Sequence, residues 1–510
     1  MTEKVFLIFP HQLFKNVEIL HNYNHVYLIE EPIFFYSKLR PLKFHKLKLL
    51  LHRASMKYYF DYLKTKGVKV SYIDYTDKND YDFLKKSTNS VSYYDVVDHL
   101  LQNKIDRIMK KKKIIIEEII DSPNFICGSV NLDYIRNNIF KNKKHISHVS
   151  FYTYMRKQFN VLLNNRGNYI GNQLSFDDEN RLALPKDKES DIPSINFKQS
   201  SYIDDAKLWV EKHFKNNYGT MENISHMAFT HEDAEKMLND FINKRLEHFG
   251  DYQDAISVTS PFVYHSLLSH VINIGLLDPM YCINKVVKKM ENDKSIGINN
   301  VEGFIRQILG WREYTRYLYI YHYDAMVNTN FMKSKNRMSK KWYLGETGWK
   351  PVDDTIKSAF KYGYLHHIQR LMIMGNIMNL MKFSPHEVYK WFMEFAIDSY
   401  DWVMISNVYS MALFADGGLT TTKPYISSDS YIIKMSGGRY NKDGIWDVDI
   451  KTLFYNFIGT APIIKKDGEK YNYFETNGRT IQMYRLWDRK SEAEKKSIKH
   501  IAREIIKSHQ

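Results

Sequence analysis

Val5-Phe6-Leu7-Ile8-Phe9, closed at once by Pro10-His11-Gln12, is an apolar run of strand length near the start of the chain. A strand apolar on both faces needs cover on both faces, the condition of a parallel sheet between helical layers. The runs at 26–29, 68–74 and 114–120 have the same character, and the segments 44–64 and 93–109 between them carry apolar residues at helical spacing. Strands alternating with helices predict a doubly wound, Rossmann-like α/β domain over residues 1–150. Ligands of such sheets collect beyond the carboxyl ends of the strands. His11, Gln12, Glu30 and Glu31 are therefore candidate pocket residues, with ordinary strand-end packing as the competing reading. No G-x-G-x-x-G fingerprint follows any of these strands.

From about residue 185 to 202 the composition turns polar, and a connector is expected over 151–230. Beyond it the chain is helical in pattern, with apolar residues at i, i+3 and i+4 over 232–247, 261–274, 279–291, 301–319, 354–380, 385–395 and 494–508. The fold class is thus α/β plus all-α, with a helical domain over 231–510. In a chain of 510 residues no apolar run reaches the ~20 residues of a membrane span. Residues 1–9 lack a secretory core and cleavage site. Cys127 and Cys282 are too few for a disulfide framework, a zinc site or an iron–sulfur cluster. An intracellular, soluble protein of the cytoplasm or nucleoid is expected, with no membrane partner and no metal.

Lys and Arg total 73 against 58 Asp and Glu, a net charge of +15. Such a charge favours anionic partners, nucleic acid first. Lysine-rich usage of an AT-rich bacterial or viral genome explains the same number. The run Lys110-Lys-Lys-Lys113 reads as a solvated helix end.

The expected helix 354–380 contains Tyr364-Leu-His-His-Ile-Gln-Arg-Leu-Met372. Adjacent helical positions diverge by about 100°, so His366 and His367 do not converge on one metal ion. His366 is expected one turn from Arg370. A buried guanidinium needs a carboxylate or an anionic ligand, and Asp398 is available just after the following helix. Satisfied core histidines remain the alternative to a site.

Several stretches in chain order together resemble the photolyase/cryptochrome family. They are Phe9-Pro-His-Gln-Leu-Phe14, Leu174-Ser-Phe-Asp-Asp-Glu-Asn-Arg181, His248-Phe-Gly-Asp-Tyr-Gln-Asp-Ala255, Tyr264-His-Ser-Leu-Leu-Ser269 and Glu302-Gly-Phe-Ile-Arg-Gln-Ile-Leu-Gly-Trp-Arg-Glu-Tyr314. His366-His-Ile-Gln-Arg-Leu-Met372, Asp398-Ser-Tyr-Asp-Trp-Val-Met-Ile-Ser-Asn407, Ala415-Asp-Gly-Gly418, Thr422-Lys-Pro-Tyr425 and Asn477-Gly-Arg479 complete the series. Within the family the chain is most similar to the prokaryotic (6-4) photolyases, also called iron–sulfur bacterial cryptochromes and photolyases.

The resemblance implies a U-shaped FAD in the helical domain, UV-damaged DNA as substrate and a monomer. By this likeness His265, Ser266, Leu267, Leu268 and Ser269 meet the diphosphate. Tyr252, Gln307, Trp311 and Arg312 line the cofactor. Arg370 and Asp398 pair beside the isoalloxazine, and Asn407 approaches its N5. His366 and His367 face the lesion, with Tyr425 and Tyr431 as helpers. Trp391 is the inner and Trp342 the outer electron-transfer residue, and Phe392 stands where a redox-active tyrosine is often found. A ribityllumazine or other antenna chromophore in the α/β domain would meet Gln12, Glu31 and Lys48. The four cluster cysteines of these relatives are missing, so a cluster-free member is expected, its loop shaped by Gly437, Gly438 and Trp446. A histidine at position 367 favours the (6-4) lesion over the cyclobutane dimer. Cyclobutane photolyase and cryptochrome-type light receptor are the alternatives.

Overall fold

The structure is a computed structural model that describes residues 3–197 and 200–510. Its N-terminal part holds strands β1 (Glu3–Ile8) and β2 (His25–Ile29), helix α1 (Lys46–Thr65), β3 (Val70–Ile73), β4 (Thr88–Tyr94), α2 (His99–Lys112) and β5 (Ile115–Ile120). All five strands are parallel, in the order β3-β2-β1-β4-β5, so the sheet is doubly wound with its switch point between β1 and β4. Buried Val5 through Phe9 place β1 at the centre, as its unbroken apolar run requires.

Two expectations about the sheet are corrected. β4 occupies residues read in part as helix; its Thr88, Ser90 and Ser92 are buried although polar, which hides the strand from a hydrophobicity pattern. The helix starts later, where Asp98 caps it by accepting a hydrogen bond from Leu101 N at 3.0 Å. β5 is an edge strand, with Ile115 67% and Ile119 47% exposed, and is not covered on both faces.

The segment 151–230 is more than a linker. Helix His148–Gln158 packs on the helical part, and helix Tyr202–Phe214 lies along α1. The two parts share one contiguous apolar core. A polar seam reinforces it. Arg40 pairs with Asp98 at 2.7 Å and Asp401 at 3.5 Å, and the ring of His52 contacts the Tyr400 hydroxyl at 2.8 Å.

Two expected helices are broken. Over 261–274 only Ser269–Asn273 is helical, after a turn in which Leu267 takes φ +61°. The helix expected over 354–380 runs Lys350–Tyr362 and stops at Gly363, whose φ of +60° and close approach to Ile397 leave no space for a side chain. The chain re-enters a helix at His367. An antiparallel hairpin near the C-terminus, β6 (Ile463–Lys466) with β7 (Glu469–Asn472), was not expected.

Candidate active site

A cavity of about 300 Å³ opens in the helical part. Three of its walls come from π-helical segments: Arg306–Arg312, Gln369–Gly375 and Ser406–Ala412. A π turn inserts an extra residue and rotates the side chains that follow, which is why such turns recur at functional sites. Here they deliver Gln307, Trp311 and Arg312 from the first segment, Arg370 and Leu371 from the second, and Asn407, Val408 and Met411 from the third. The fourth wall is the turn His265 to Ser269, bent by Leu267.

Arg370 and Asp398 form a bidentate pair, Nη1 to Oδ1 at 3.0 Å and Nη2 to Oδ2 at 3.1 Å. Arg370 Nε also donates to Leu365 O at 2.6 Å, and Ser269 Oγ donates to Asp398 Oδ2 at 2.8 Å. Burial pushes the Asp398 carboxyl up, but Arg370 and these hydrogen bonds overcome it and hold the group below its ordinary value. Arg312 lies over Phe125 and Trp402 at 4.9 and 4.8 Å, donates to Asn124 O and bonds Asn273 Oδ1. Its burial lowers its pKa to about 10. Trp311 is fixed by stacking on His148, rings 3.9 Å apart.

The adjacent histidines part company. His366 sits just before the helix, where its carbonyl accepts from Arg370 N at 3.1 Å; its buried ring stacks on His265 at 4.9 Å and does not line the cavity. Both its ring nitrogens lack hydrogen-bond partners, and burial, with His265, His367 and Arg370, drives its pKa well below the ordinary value. The resemblance implied that it faces the lesion; its ring is buried outside the cavity lining. His367 lines the cavity and remains solvent-accessible through it. The surrounding protein and Arg370 push its pKa down to about 4, a shift that water in the opening moderates.

Tyr252, Tyr425 and Tyr431 do not line the cavity. Tyr252 stacks on Tyr264 at 5.7 Å. Tyr425, 37% exposed, and Tyr431 both lie near Asp177 and Arg181, the first also near Arg479 and the second near Asp254. Asp177 pairs with Arg306, which also contacts Glu302 at 3.2 Å. Burial and then Asp177 raise the Asp254 carboxyl to about 6. Both acidic residues fall in stretches that carry the family resemblance, but sequence reading gave them no role, because Asp177 and Asp254 lie far apart along the chain.

Trp391 and Trp342 stand behind the cavity. Phe392 forms the wall, Trp391 packs on it at 5.2 Å, and the Trp391 indole N–H donates to Trp342 O at 2.8 Å. The three α/β residues are spent on internal partners and line neither this cavity nor a second, of about 610 Å³, beside Phe14 and His231. Gln12 donates to Tyr94 O at 2.8 Å; Glu31 takes Lys104 at 2.6 Å and the Tyr81 hydroxyl at 2.9 Å; Lys48 bonds Ser399 O. Cys127 and Cys282 are free and buried. Among the described residues no helix is long and apolar enough to cross a membrane.

Residues 6–226 match the family model described as deoxyribodipyrimidine photo-lyase-related protein, and residues 304–444 match the FAD binding domain of DNA photolyase. Over 357 residues the chain is 35% identical to a (6-4) photolyase of Agrobacterium fabrum, covering 69% of this chain and 68% of that protein. The chain belongs to the photolyase/cryptochrome family. The chain is also 50% identical over 135 residues to the uncharacterized protein R855 of Acanthamoeba polyphaga mimivirus, covering 26% of this chain and 98% of that one. Its fold matches a bacterial class III photolyase from Agrobacterium tumefaciens with a TM-score of 0.57 at 14% identity, over 96% of this chain and 98% of the other. The FAD-domain match spans the three π-helical walls, while the fourth wall, His265 to Ser269, lies outside it. The residues of the cavity fit FAD. His265 Nε2 is buried without a hydrogen-bond partner, a cost of about 1–3 kcal/mol that a polar ligand offsets, while Trp311, Phe392 and Trp402 give flat apolar walls.

Proposed function

We propose that this photolyase reverses (6-4) photoproducts in DNA, and that His367 is the residue that selects the lesion. The observation that supports the reading is the division between the two histidines: one is sealed in the core, while the other opens onto the cavity beside the Arg370–Asp398 pair. FAD bound there supplies one-electron donation on illumination. Ser266, Gln307 and Arg312 would hold its polar groups, Asn407 and the Arg370–Asp398 pair would set the field around its ring, and Phe392 and Trp402 would exclude water.

A lesion inside a duplex does not reach a cavity, so the damaged pair must be flipped out, at least cost where stacking is already damaged. The net charge of +15 supplies phosphate attraction without sequence preference. Reversal of a (6-4) product also moves a hydroxyl or amino group between bases, and a proton must travel with it. The lowered pKa of His367 favours its neutral form in the lesion-free site, with one donor and one acceptor nitrogen. Negative charge brought by DNA phosphates and by the reduced lesion raises its proton affinity, so protonation is coupled to binding. Cyclobutane splitting has no such need. The test gives prereduced protein each lesion separately under light, beside His367→Ala. We expect (6-4) repair, lost in the variant and faster at lower pH. Repair of cyclobutane dimers alone, or (6-4) repair indifferent to His367→Ala, refutes the reading.

The chain is also assigned as free of an iron–sulfur cluster, in keeping with its cysteine content. Where relatives are expected to carry cluster ligands, Trp349 stacks on His509 at 4.1 Å, Trp446 is buried, and Arg439 pairs with Glu189 at 2.8 Å. Stoichiometric iron in the purified protein would contradict this.

A further inference from the structure

We propose that Tyr343, with Tyr218 stacked on it, is the solvent-side end of the electron path that begins at Trp391, and that Glu394 accepts its proton. The proposal rests on the functional reading above and on the electron-transfer role that the family resemblance implies for Trp391.

Trp391 is fully buried and needs a route to an external reductant. The route through the other tryptophans stays inside the protein. The Trp342 indole N–H donates to His509 O at 3.1 Å, its ring meets Trp349 at 6.2 Å, and Trp349 is 1% exposed with its N–H on Asp449 at 2.9 Å. The other route leads outward. Phe360 packs on Trp391 at 6.1 Å, on Tyr343 at 6.2 Å and on Tyr218 at 5.3 Å. Tyr218 and Tyr343 stack with centroids 5.0 Å apart and planes at 25°, and both rings are half-buried. The arrangement is rigid. Gly219, at φ +77°, lies so close to the His45 ring that no side chain fits, and His45 Nε2 is in turn bonded to Phe360 O at 2.9 Å.

A tyrosine gives up an electron readily only if its phenolic proton leaves with it. Glu394 supplies the acceptor. Its Oε1 accepts from Lys43 N at 2.8 Å, while Oε2 is buried with no hydrogen-bond partner. Burial raises the proton affinity of this carboxylate and of the Tyr343 hydroxyl, and each acts on the other. The step balances as follows. When Trp391 has lost an electron toward the cavity, Tyr343 returns one electron to Trp391 and passes its O–H proton to Glu394. This leaves a neutral tyrosyl radical and a neutral carboxylic acid. A soluble thiol then gives a hydrogen atom to the radical, and Glu394 releases its proton to water.

The test follows light-driven flavin reduction in the holoenzyme with dithiothreitol, together with the electron paramagnetic resonance spectrum of samples frozen under light. We expect a neutral tyrosyl radical in the parent. In Tyr343→Phe/Tyr218→Phe that signal is lost and reduction slows about tenfold, with bound flavin unchanged. Glu394→Gln should keep flavin and lengthen the life of the oxidised tryptophan. Trp349→Phe should match the parent. Retained flavin with parental reduction and a parental radical signal in the double variant overturns this assignment alone; loss of the signal in Trp349→Phe instead moves the exit to the buried branch and also overturns it. A purified chain that binds no flavin defeats the functional reading and this assignment with it.

Discussion

The strand ends of the α/β part and the cavity of the helical part are both rich in buried charge, and they treat it in opposite ways. At the sheet, Glu31 is matched by Lys104 and Tyr81, Glu30 by Arg53, Tyr72 and the backbone of Tyr75, and Gln12 bridges the switch point to Tyr94. Around the cavity, the rings of His265 and His366 keep unmatched nitrogens. Complete pairing marks charge that serves the fold; incomplete pairing marks charge arranged for a ligand.

The comparison breaks most visibly if the cavity charges prove structural only. Arg370→Ala leaves Asp398 buried without its cation, an error of about 3–5 kcal/mol for a buried pair. Whatever part of that falls on FAD binding costs about tenfold in affinity per 1.4 kcal/mol. The variant is expected to purify nearly free of flavin. Glu31→Gln strands Lys104 in the same way, and should lower the melting temperature while flavin per protein stays at the parental level. Loss of a separate chromophore band in Glu31→Gln would show that an antenna does sit at the sheet.

Acid is the next largest lever. His11, His45, His231 and His270 are buried with pKa values lowered to about 4, mainly by burial. Their unfolded values lie near ~6.5, so between pH 6.5 and 4 the unfolded chain binds more protons than the folded one, and stability falls as pH falls. Each residue contributes up to about 3 kcal/mol to that loss. Stability in denaturant should decline from pH 6.5 downward, well before the carboxylates titrate; a flat profile to pH 4.5 would show that these rings find water or partners.

Much of this was legible in the sequence. The alternation of strand and helix fixes the doubly wound sheet, and all the cofactor residues expected from the family resemblance except Tyr252 gather at one cavity. What escaped has identifiable physical reasons. β4 buries hydroxyls, so its pattern is polar. Gly363 carries the left-handed turn that ends a helix, but the apolar residues on either side keep the helical spacing and mask it. Without the break, His366 and His367 are neighbours on one helix, and nothing in their spacing says that one closes the core while the other opens on the cavity. The π turns likewise shift side chains by one position, a displacement that a 3.6-residue pattern does not register.

The smallest expected effect lies between the two regions, at Lys48. Its ammonium leaves α1 to bond Ser399 O, next to Asp398, and rests over the rings of Phe44 and Tyr400 at 4.6 Å each. Burial, then Arg40, lowers its pKa to about 7, although Asp398 and Asp98 pull the other way. An unfolded lysine titrates near ~10.4. Between pH 7 and 10 the unfolded chain therefore binds more protons, and Lys48 makes stability rise with pH. Methionine has a similar apolar reach and no charge to desolvate. Lys48→Met should be at least as stable as the parent at pH 7, with its advantage shrinking by about 1–2 kcal/mol as the pH approaches 9.5 and the parent lysine loses its proton. Flavin content should not change, since Lys48 does not line the cavity. A large loss of stability at pH 7 would show that the charged ammonium holds the two parts together; a loss of flavin would make Lys48 part of the cofactor site through Ser399 and Asp398, and the line drawn here between paired and unpaired charge would have to move.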